Sequence, residues 1–145
     1  MIDKDSVHIS DKVHLNHTDA FIYSMLSDLS TYSRWWPMAT ISEIEEGIFE
    51  VSSLGPGTFT WTLAETVENR KVVLTYDGIF SGHGIWNISN EGAMTHVTYS
   101  VSLTIEHGFY KFINKFIPIA KLHSKMMQLV FRKFNDYLNN YHIES

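Results

Sequence analysis

Pro118-Ile-Ala-Lys-Leu-His-Ser-Lys-Met-Met-Gln-Leu-Val-Phe-Arg-Lys-Phe-Asn-Asp-Tyr-Leu-Asn-Asn-Tyr141 reads as one long amphipathic helix. Its apolar positions, Ile119, Leu122, Met126, Leu129, Val130, Phe134, Tyr137, Leu138 and Tyr141, advance in steps of three and four and so keep to one side. Lys121, Lys125, Arg132, Lys133, Asp136 and Asn140 take the other side. Helical propensity alone does not hold such an element in water, so its stripe requires a partner surface from upstream. Met126 falls on the stripe, whereas Met127 is offset toward the short helices expected earlier in the chain.

The upstream chain supplies strands. Residues 6–15 alternate, with Val7, Ile9, Val13 and Leu15 on one face and His8, Ser10, Lys12 and His14 on the other. Asn16-His-Thr-Asp19 carries capping residues, and Ala20, Phe21, Met25 and Leu26 follow at helical spacing, which predicts a short helix over 18–27. A second helical turn is expected over 32–36, stopped by Pro37. Strands are then expected over 41–45, 48–53, 58–67, 71–76 and 95–105, punctuated by Glu46-Gly47, Gly55-Pro-Gly57, Asn69-Arg70, Asp77-Gly78 and Asn90-Glu-Gly92. Phe59, Trp61, Leu63 and Val67 share a face opposite Thr58, Thr60, Thr62 and Thr66; Val97, Tyr99, Val101, Leu103 and Ile105 repeat the pattern. In 79–89, Gly82 and Gly84 inside a strand pattern predict a bulge or bend, which leaves open whether Trp86 or Ile85 faces inward. A short apolar helix over 109–116 precedes Pro118, well placed in a first helical turn. Strands joined by tight turns make an antiparallel meander with one wet face and one face free to pack a helix.

Composition sets the outer bounds. The 145 residues, 44% of them hydrophobic, fit a single domain over 1–145 with a sizeable core. Four Trp, seven Tyr and nine Phe exceed what a minimal core requires and point to a lined pocket. The absence of cysteine excludes disulfides, thiol nucleophiles and Cys-containing zinc sites. The polar start and the lack of a long apolar run predict neither signal peptide nor membrane span, hence a cytoplasmic protein without stable membrane insertion. A net charge of −5 argues against nucleic acid as a partner.

The element order, with Tyr32-Ser-Arg-Trp-Trp-Pro37, Gly55-Pro-Gly-Thr-Phe-Thr-Trp61, Gly82-His-Gly-Ile-Trp86 and Thr95-His-Val-Thr-Tyr99, resembles the START/Bet v 1-like (SRPBCC) superfamily, particularly its polyketide cyclase/dehydrase and lipid-transport branch. The resemblance spans essentially the whole chain. It implies an α+β helix-grip fold: a curved seven-stranded antiparallel sheet wrapped around the long C-terminal helix, two short helices between strands 1 and 2, and an apolar cavity between sheet and helix. It also implies binding of a sterol, phospholipid, hormone or aromatic polyketide, with catalysis or chaperone partnership in some members.

Candidate ligand-binding residues follow. Tyr32, Trp35 and Trp36 sit where the resemblance places a cavity mouth. Phe59, Trp61, Tyr76, Phe80, Trp86 and Tyr99 would line the concave sheet face, and the indole N–H of Trp61 or Trp86 would orient a polar group on the ligand. Leu122, His123, Met126, Leu129 and Val130 would set the helix wall. His83 belongs to the set if the glycine bend turns it inward. No catalytic residue is assigned: Glu65 keeps the inward phase of Phe59 and Trp61 but lies at a strand end, where solvation is favoured. The eight histidines show no metal-ligand spacing, with His14 and His17 straddling a turn and His8 and His14 lacking a carboxylate, so neither metal nor cofactor is expected. Lys111, Lys115, Lys121 and Lys125 read as a solvated face, with contact to anionic headgroups as the alternative. The leading expectation is a module binding a small hydrophobic or aromatic ligand, then a cyclase/dehydratase-type enzyme in the same cavity, then an interaction module such as a chaperone partner. A homodimer through a sheet edge or Trp35 stays open.

Overall fold

A computed structural model describes the backbone of residues 6–53 and 55–144, and side-chain environments up to Tyr141. Strand β1 (Ser6–Leu15) leads into helix α1 (Asp19–Leu26), a 3-10 turn (Leu29–Arg34), and strands β2 (Thr40–Glu45), β3 (Ile48–Ser52), β4 (Phe59–Val67), β5 (Lys71–Gly78), β6 (Phe80–Glu91) and β7 (Met94–Ile105). Helices α2 (Gly108–Phe116) and α3 (Ile119–Glu144) close the chain. The strands form one seven-stranded antiparallel sheet in the order β1-β7-β6-β5-β4-β3-β2. Strands β2 to β7 run as a meander, and β1 pairs with β7, so first and last strands are neighbours.

Local chemistry explains the ends of the short elements. Thr18 Oγ1 accepts from the Phe21 amide at 3.2 Å, which caps α1. Asp28 Oδ1 accepts from the Ser30 amide at 3.1 Å and starts the 3-10 turn. This turn lies earlier than the helical turn expected over 32–36, because the Asp28 cap sets where it begins and Pro37 constrains only where it ends. Trp35 and Trp36 follow it, their amides donating to the Tyr32 carbonyl at 3.2 and 2.8 Å.

Two sequence expectations about the sheet are corrected. Of the bulge or bend expected in 79–89, the bulge is absent, since β6 pairs with β5 and β7 without a register shift. Its glycines answer a different need: a Cβ on Gly82, which sits at φ 141°, would fall 2.0 Å from the Ser102 carbonyl oxygen. Register breaks instead in β2, between Glu43 and Glu45, and in β4, between Leu63 and Glu65. The second break is the one that concerns a candidate residue. It explains Glu65, which pairs with Val73 instead of continuing the phase of Leu63 opposite Leu74, and so turns into solvent beside Lys71 at 3.4 Å.

The continuous pairing of β6 also fixes its phase. Trp86 and Ile88 are buried on the concave face, whereas His83 is exposed on the outer face. The strand alternates without a bulge to invert it, so His83 leaves the candidate set.

The core lies between this concave face and α3. The buried stripe of α3 is Met127, Val130, Phe131, Phe134 and Leu138, rotated from the expected one. Leu122 is 47% exposed and Tyr141 45% exposed, while Met126 and Tyr137 are half-buried. Apolar residues cover well over half the circumference of α3, so periodicity alone admits more than one rotation. Contact with bulky sheet residues selects the rotation that buries Met127 and Phe131 and turns Leu122 out.

Candidate functional site: an aromatic interior with unpaired polar atoms

Rings form a continuous cluster within the interior. Trp35 lies 4.5 Å from Phe134 and 6.2 Å from Trp86, and Trp36 lies 5.0 Å edge-on to Trp61 and 6.0 Å from Tyr99. Trp86 and Tyr99 are 4.2 Å apart, and Tyr32 meets Trp35 at 4.5 Å and Trp61 at 5.5 Å. Offset and edge contacts of this kind add about 0.5–1.5 kcal/mol per pair beyond area burial. Trp35 and Trp36 therefore sit within the core instead of at a mouth. They are carried there by the 3-10 turn, which ends so that both indoles join the rings of the sheet.

Polar atoms inside this box are few. The hydroxyls of Tyr76 and Tyr99 hydrogen-bond to one another, and Tyr32 donates to the Leu26 carbonyl at 2.6 Å. Burial raises all three phenol pKa values, that of Tyr76 to about 12, so each is neutral at pH 7. His123 stacks on Tyr99 at 6.4 Å with 20° between ring planes, and burial lowers its pKa to about 4, which keeps the imidazole neutral.

Among the described residues, four enclosed polar atoms have no hydrogen-bond partner: Trp61 Nε1, Trp86 Nε1, Tyr110 Oη and His123 Nδ1. Trp86 stands close enough to Tyr32, and Trp61 to Tyr76, to oppose the rise of both phenol pKa values, yet neither N–H meets an acceptor at hydrogen-bonding geometry. An indole N–H only donates, so each can be satisfied only by an acceptor. A buried donor left unpaired costs about 1–3 kcal/mol.

Access differs along the box. Tyr110 packs on Phe80 at 5.1 Å, Phe80 on Phe59 at 5.9 Å, and Phe59 on Tyr76 at 5.2 Å, so a chain of rings leads from α2 to the tyrosine pair. Phe80, Tyr110 and His123 are half-buried, whereas Trp35, Trp86 and Phe134 at the other end are fully enclosed. Helix α2 contributes no buried residue. Gly84 permits the tight packing of the tyrosines, since a Cβ there would lie 2.3 Å from Tyr99 Oη and 3.0 Å from Tyr76 Cε1.

The structure thus brings together Tyr32, Trp35, Trp36, Phe59, Trp61, Tyr76, Phe80, Trp86, Tyr99, His123 and Val130, with Met126 and Leu129 at the flank of α3. It separates His83 and Leu122 from them. Tyr110, Met127 and Phe131 are interior residues absent from the expected set; the 3 and 4 spacing of Met127, Val130, Phe131 and Phe134 was the available signal. Outside the interior, His14, Glu91 and His96 converge on the outer face of the sheet.

No protein-family model matches the sequence, and no curated protein does. Solved structures do. A START superfamily protein from Mycobacterium smegmatis superposes with a TM-score of 0.71 at 14% identity, covering 92% of this chain and 98% of that one. The chain has the START-type helix-grip fold. A protein from Thermus thermophilus superposes on it with a TM-score of 0.72 at 12% identity, covering 93% and 99% of the two chains. The Aha1 dimer from Colwellia psychrerythraea gives 0.66 at 13% identity, covering 91% and 96%. The START-type frame accounts for the placement of α3 against the concave sheet; at these identities it carries no residue roles across.

Proposed function

We propose that this chain binds one small, mainly apolar or aromatic molecule with an acceptor oxygen, held between the concave sheet and α3. The observation that carries this reading is the pair of unpaired indole donors, Trp61 Nε1 and Trp86 Nε1, inside an aromatic interior. A carbonyl or ether oxygen would pair with an indole, and flat apolar surface would pack against the rings, burial contributing about 25 cal/mol per Å². Entry is by way of the half-buried end at Phe80, Tyr110 and His123, with α2 moving aside, because Tyr110 is the α2 ring that packs on Phe80 and the helix has no fully buried side chain to give up. The cyclase/dehydratase alternative is less well supported: His83 and Glu65 are exposed, which leaves the neutral His123 without a charged partner to set up acid or base chemistry.

The test is a thermal-shift series on the full chain with fatty acids, sterols and planar aromatic ketones. At least one class is expected to raise Tm, and Trp61→Phe or Trp86→Phe to weaken its binding about 2- to 12-fold, the worth of one neutral hydrogen bond of about 0.5–1.5 kcal/mol. No shift with any class, or identical affinities in both variants, contradicts the reading.

A second reading, docking on an anionic lipid surface, is favoured by α2. Phe109, Phe112 and Phe116 are 46%, 57% and 71% exposed, and Ile117 and Leu122 add further exposed apolar surface. From His107 to Asn135 the chain has six Lys or Arg and no Asp or Glu, within a protein of net charge −5. Apolar side chains beside lysines suit a headgroup interface, each nearby cation adding about 1 kcal/mol on an anionic membrane. This is surface docking, since no helix of the described residues is long and apolar enough to cross a membrane. Cosedimentation with phosphatidylserine-containing vesicles, lost with Phe112→Asp and absent for pure phosphatidylcholine, is the expected result; equal recovery with both lipids or in both proteins refutes it.

A further inference from the structure

On the outer face of the sheet, away from the aromatic interior, three side chains from three strands aim their donor atoms at one point. His14 on β1 and His96 on β7 are direct cross-strand partners. Glu91 is the last residue of β6, next to the turn into β7. His14 Nε2 is 2.9 Å from His96 Nδ1 and 3.1 Å from Glu91 Oε2, and His96 Nδ1 is 3.9 Å from Glu91 Oε1. The imidazoles meet edge-on, with centroids 4.5 Å apart and 76° between planes, so nitrogens face one another and not ring faces.

The three side chains offer more lone pairs than protons at this point. His96 Nε2 is 3.1 Å from Thr98 Oγ1, and with its proton there His96 presents a bare lone pair at Nδ1. His14 then supplies one Nε2 proton, which faces both that lone pair and the Glu91 carboxylate. Three side chains, all lone-pair bearers, converge on a space served by a single proton. A cation in that space, with His14 in its other tautomer, would satisfy all three at once.

We propose that His14, His96 and Glu91 bind one divalent transition-metal ion of the zinc type. The donor set, two imidazoles and a carboxylate, is one that zinc accepts with bond lengths of about 2.0–2.2 Å. Ligand atoms at tetrahedral angles on such an ion stand about 3.3 Å apart, within a few tenths of an ångström of the two shorter separations. Thr98 acts as the outer partner that orients the ring of His96 and can accept its Nε2 proton, and His96 is the least exposed of the three at 20% against 48% for His14 and 54% for Glu91. His96 and Thr98 also border a surface groove of about 440 Å³ that includes Arg70, Lys71 and Asn87, so solvent or a small anion can reach the remaining coordination position. His14 lies 77 residues from Glu91 and 82 from His96, so the third donor joins the short Glu91/His96 spacing only through the sheet.

Isothermal titration of the full chain with zinc chloride, and with cobalt(II) followed in the visible region, tests the site. One zinc per chain and a tetrahedral cobalt(II) spectrum are expected. His96→Ala and Glu91→Gln each weaken binding at least about tenfold, and Thr98→Val, which touches no metal, weakens it about 10-fold. His8→Ala and His83→Ala, also on the outer face, bind as the parent does. All substituted side chains face outward, and far-UV circular dichroism establishes that each variant is folded. Absence of zinc uptake by the parent overturns the proposal, as does uptake that His96→Ala and Glu91→Gln leave unchanged; either outcome reduces the cluster to a hydrogen-bonded surface group.

Discussion

Replacing Gly84 by Ala adds one methyl group to the concave face of β6, and its cost can be worked from distances. The new Cβ would stand 2.3 Å from Tyr99 Oη, 2.8 Å from Tyr99 Cζ and 3.0 Å from Tyr76 Cε1. Ordinary contact is roughly 1 Å longer than the first of these, so the Tyr99 ring must retreat and its hydrogen bond to Tyr76 is lost. Overpacking of this kind costs about 1–3 kcal/mol. The broken hydrogen bond adds about 0.5–1.5 kcal/mol. Gly84 does not occupy a positive-φ conformation, so the alanine returns about 0.4–1 kcal/mol by restricting the unfolded chain. The net destabilisation is about 0.5–4 kcal/mol. With an unfolding entropy of about 2.1 cal/mol/K per residue over 145 residues, that is a fall in Tm of roughly 2–13 °C. Differential scanning calorimetry reads it directly. Gly108→Ala, where nothing lies within 4 Å of the added Cβ, is the control and should stay within about 2 °C of the parent. Tyr99→Phe in the Gly84→Ala background removes the colliding oxygen and should recover part of the loss. An unchanged or raised Tm for Gly84→Ala would refute the reasoning, and with it the account of the tyrosine pair as tightly seated on the sheet.

His123 gives the chain a pH signature. Its pKa falls from an ordinary 6.5 to about 4 on folding, because burial disfavours the imidazolium. Between those values the unfolded state binds a proton that the folded state does not, so this contribution to stability is complete above about pH 6.5 and is lost as pH falls toward 4, at no more than about 1.4 kcal/mol per pH unit. Urea midpoints for His123→Gln should therefore decline less than those of the parent across this window; parallel curves would place His123 in solvent. Phe134→Ala, which empties the position beside Trp35, should cost about 3–5 kcal/mol by urea denaturation, and a loss below about 1 kcal/mol would show that α3 does not pack as described.

The fold was legible because its signals are local and repeat. Alternation in 6–15, 58–63 and 95–105 has only one sensible reading, and the turn glycines separate the strands. The rotation of α3 was not, because Leu122, Met126 and Leu129 compete with Met127 and Phe131 for the side that Val130 and Phe134 share, and the outcome depends on the aromatic sheet face opposite. Glu65 is solvated, as its place near a strand end suggested, but by way of a register shift that no glycine or proline in the sequence marks. Conversely, Gly82 and Gly84 marked close approaches, by the Ser102 carbonyl and the Tyr99 hydroxyl, instead of a bulge. Trp61 and Trp86 were identifiable as interior donors, but their lack of acceptors is a property of the packed core and could not be read from the chain. The β6–β7 hairpin brings Glu91 near His96, but the arrival of His14 depends on the pairing of β1 with β7, the first and last strands in the chain.

The central claim is that the aromatic interior takes up a small apolar molecule through its indole donors. Native mass spectrometry of the full chain, incubated with the planar or lipid compound that gives the largest thermal shift, measures this directly. A 1:1 complex in the parent that is depleted in the Trp61→Phe, Trp86→Phe double variant is the expected result. A complex equally abundant in both proteins, or none in either, would contradict the account.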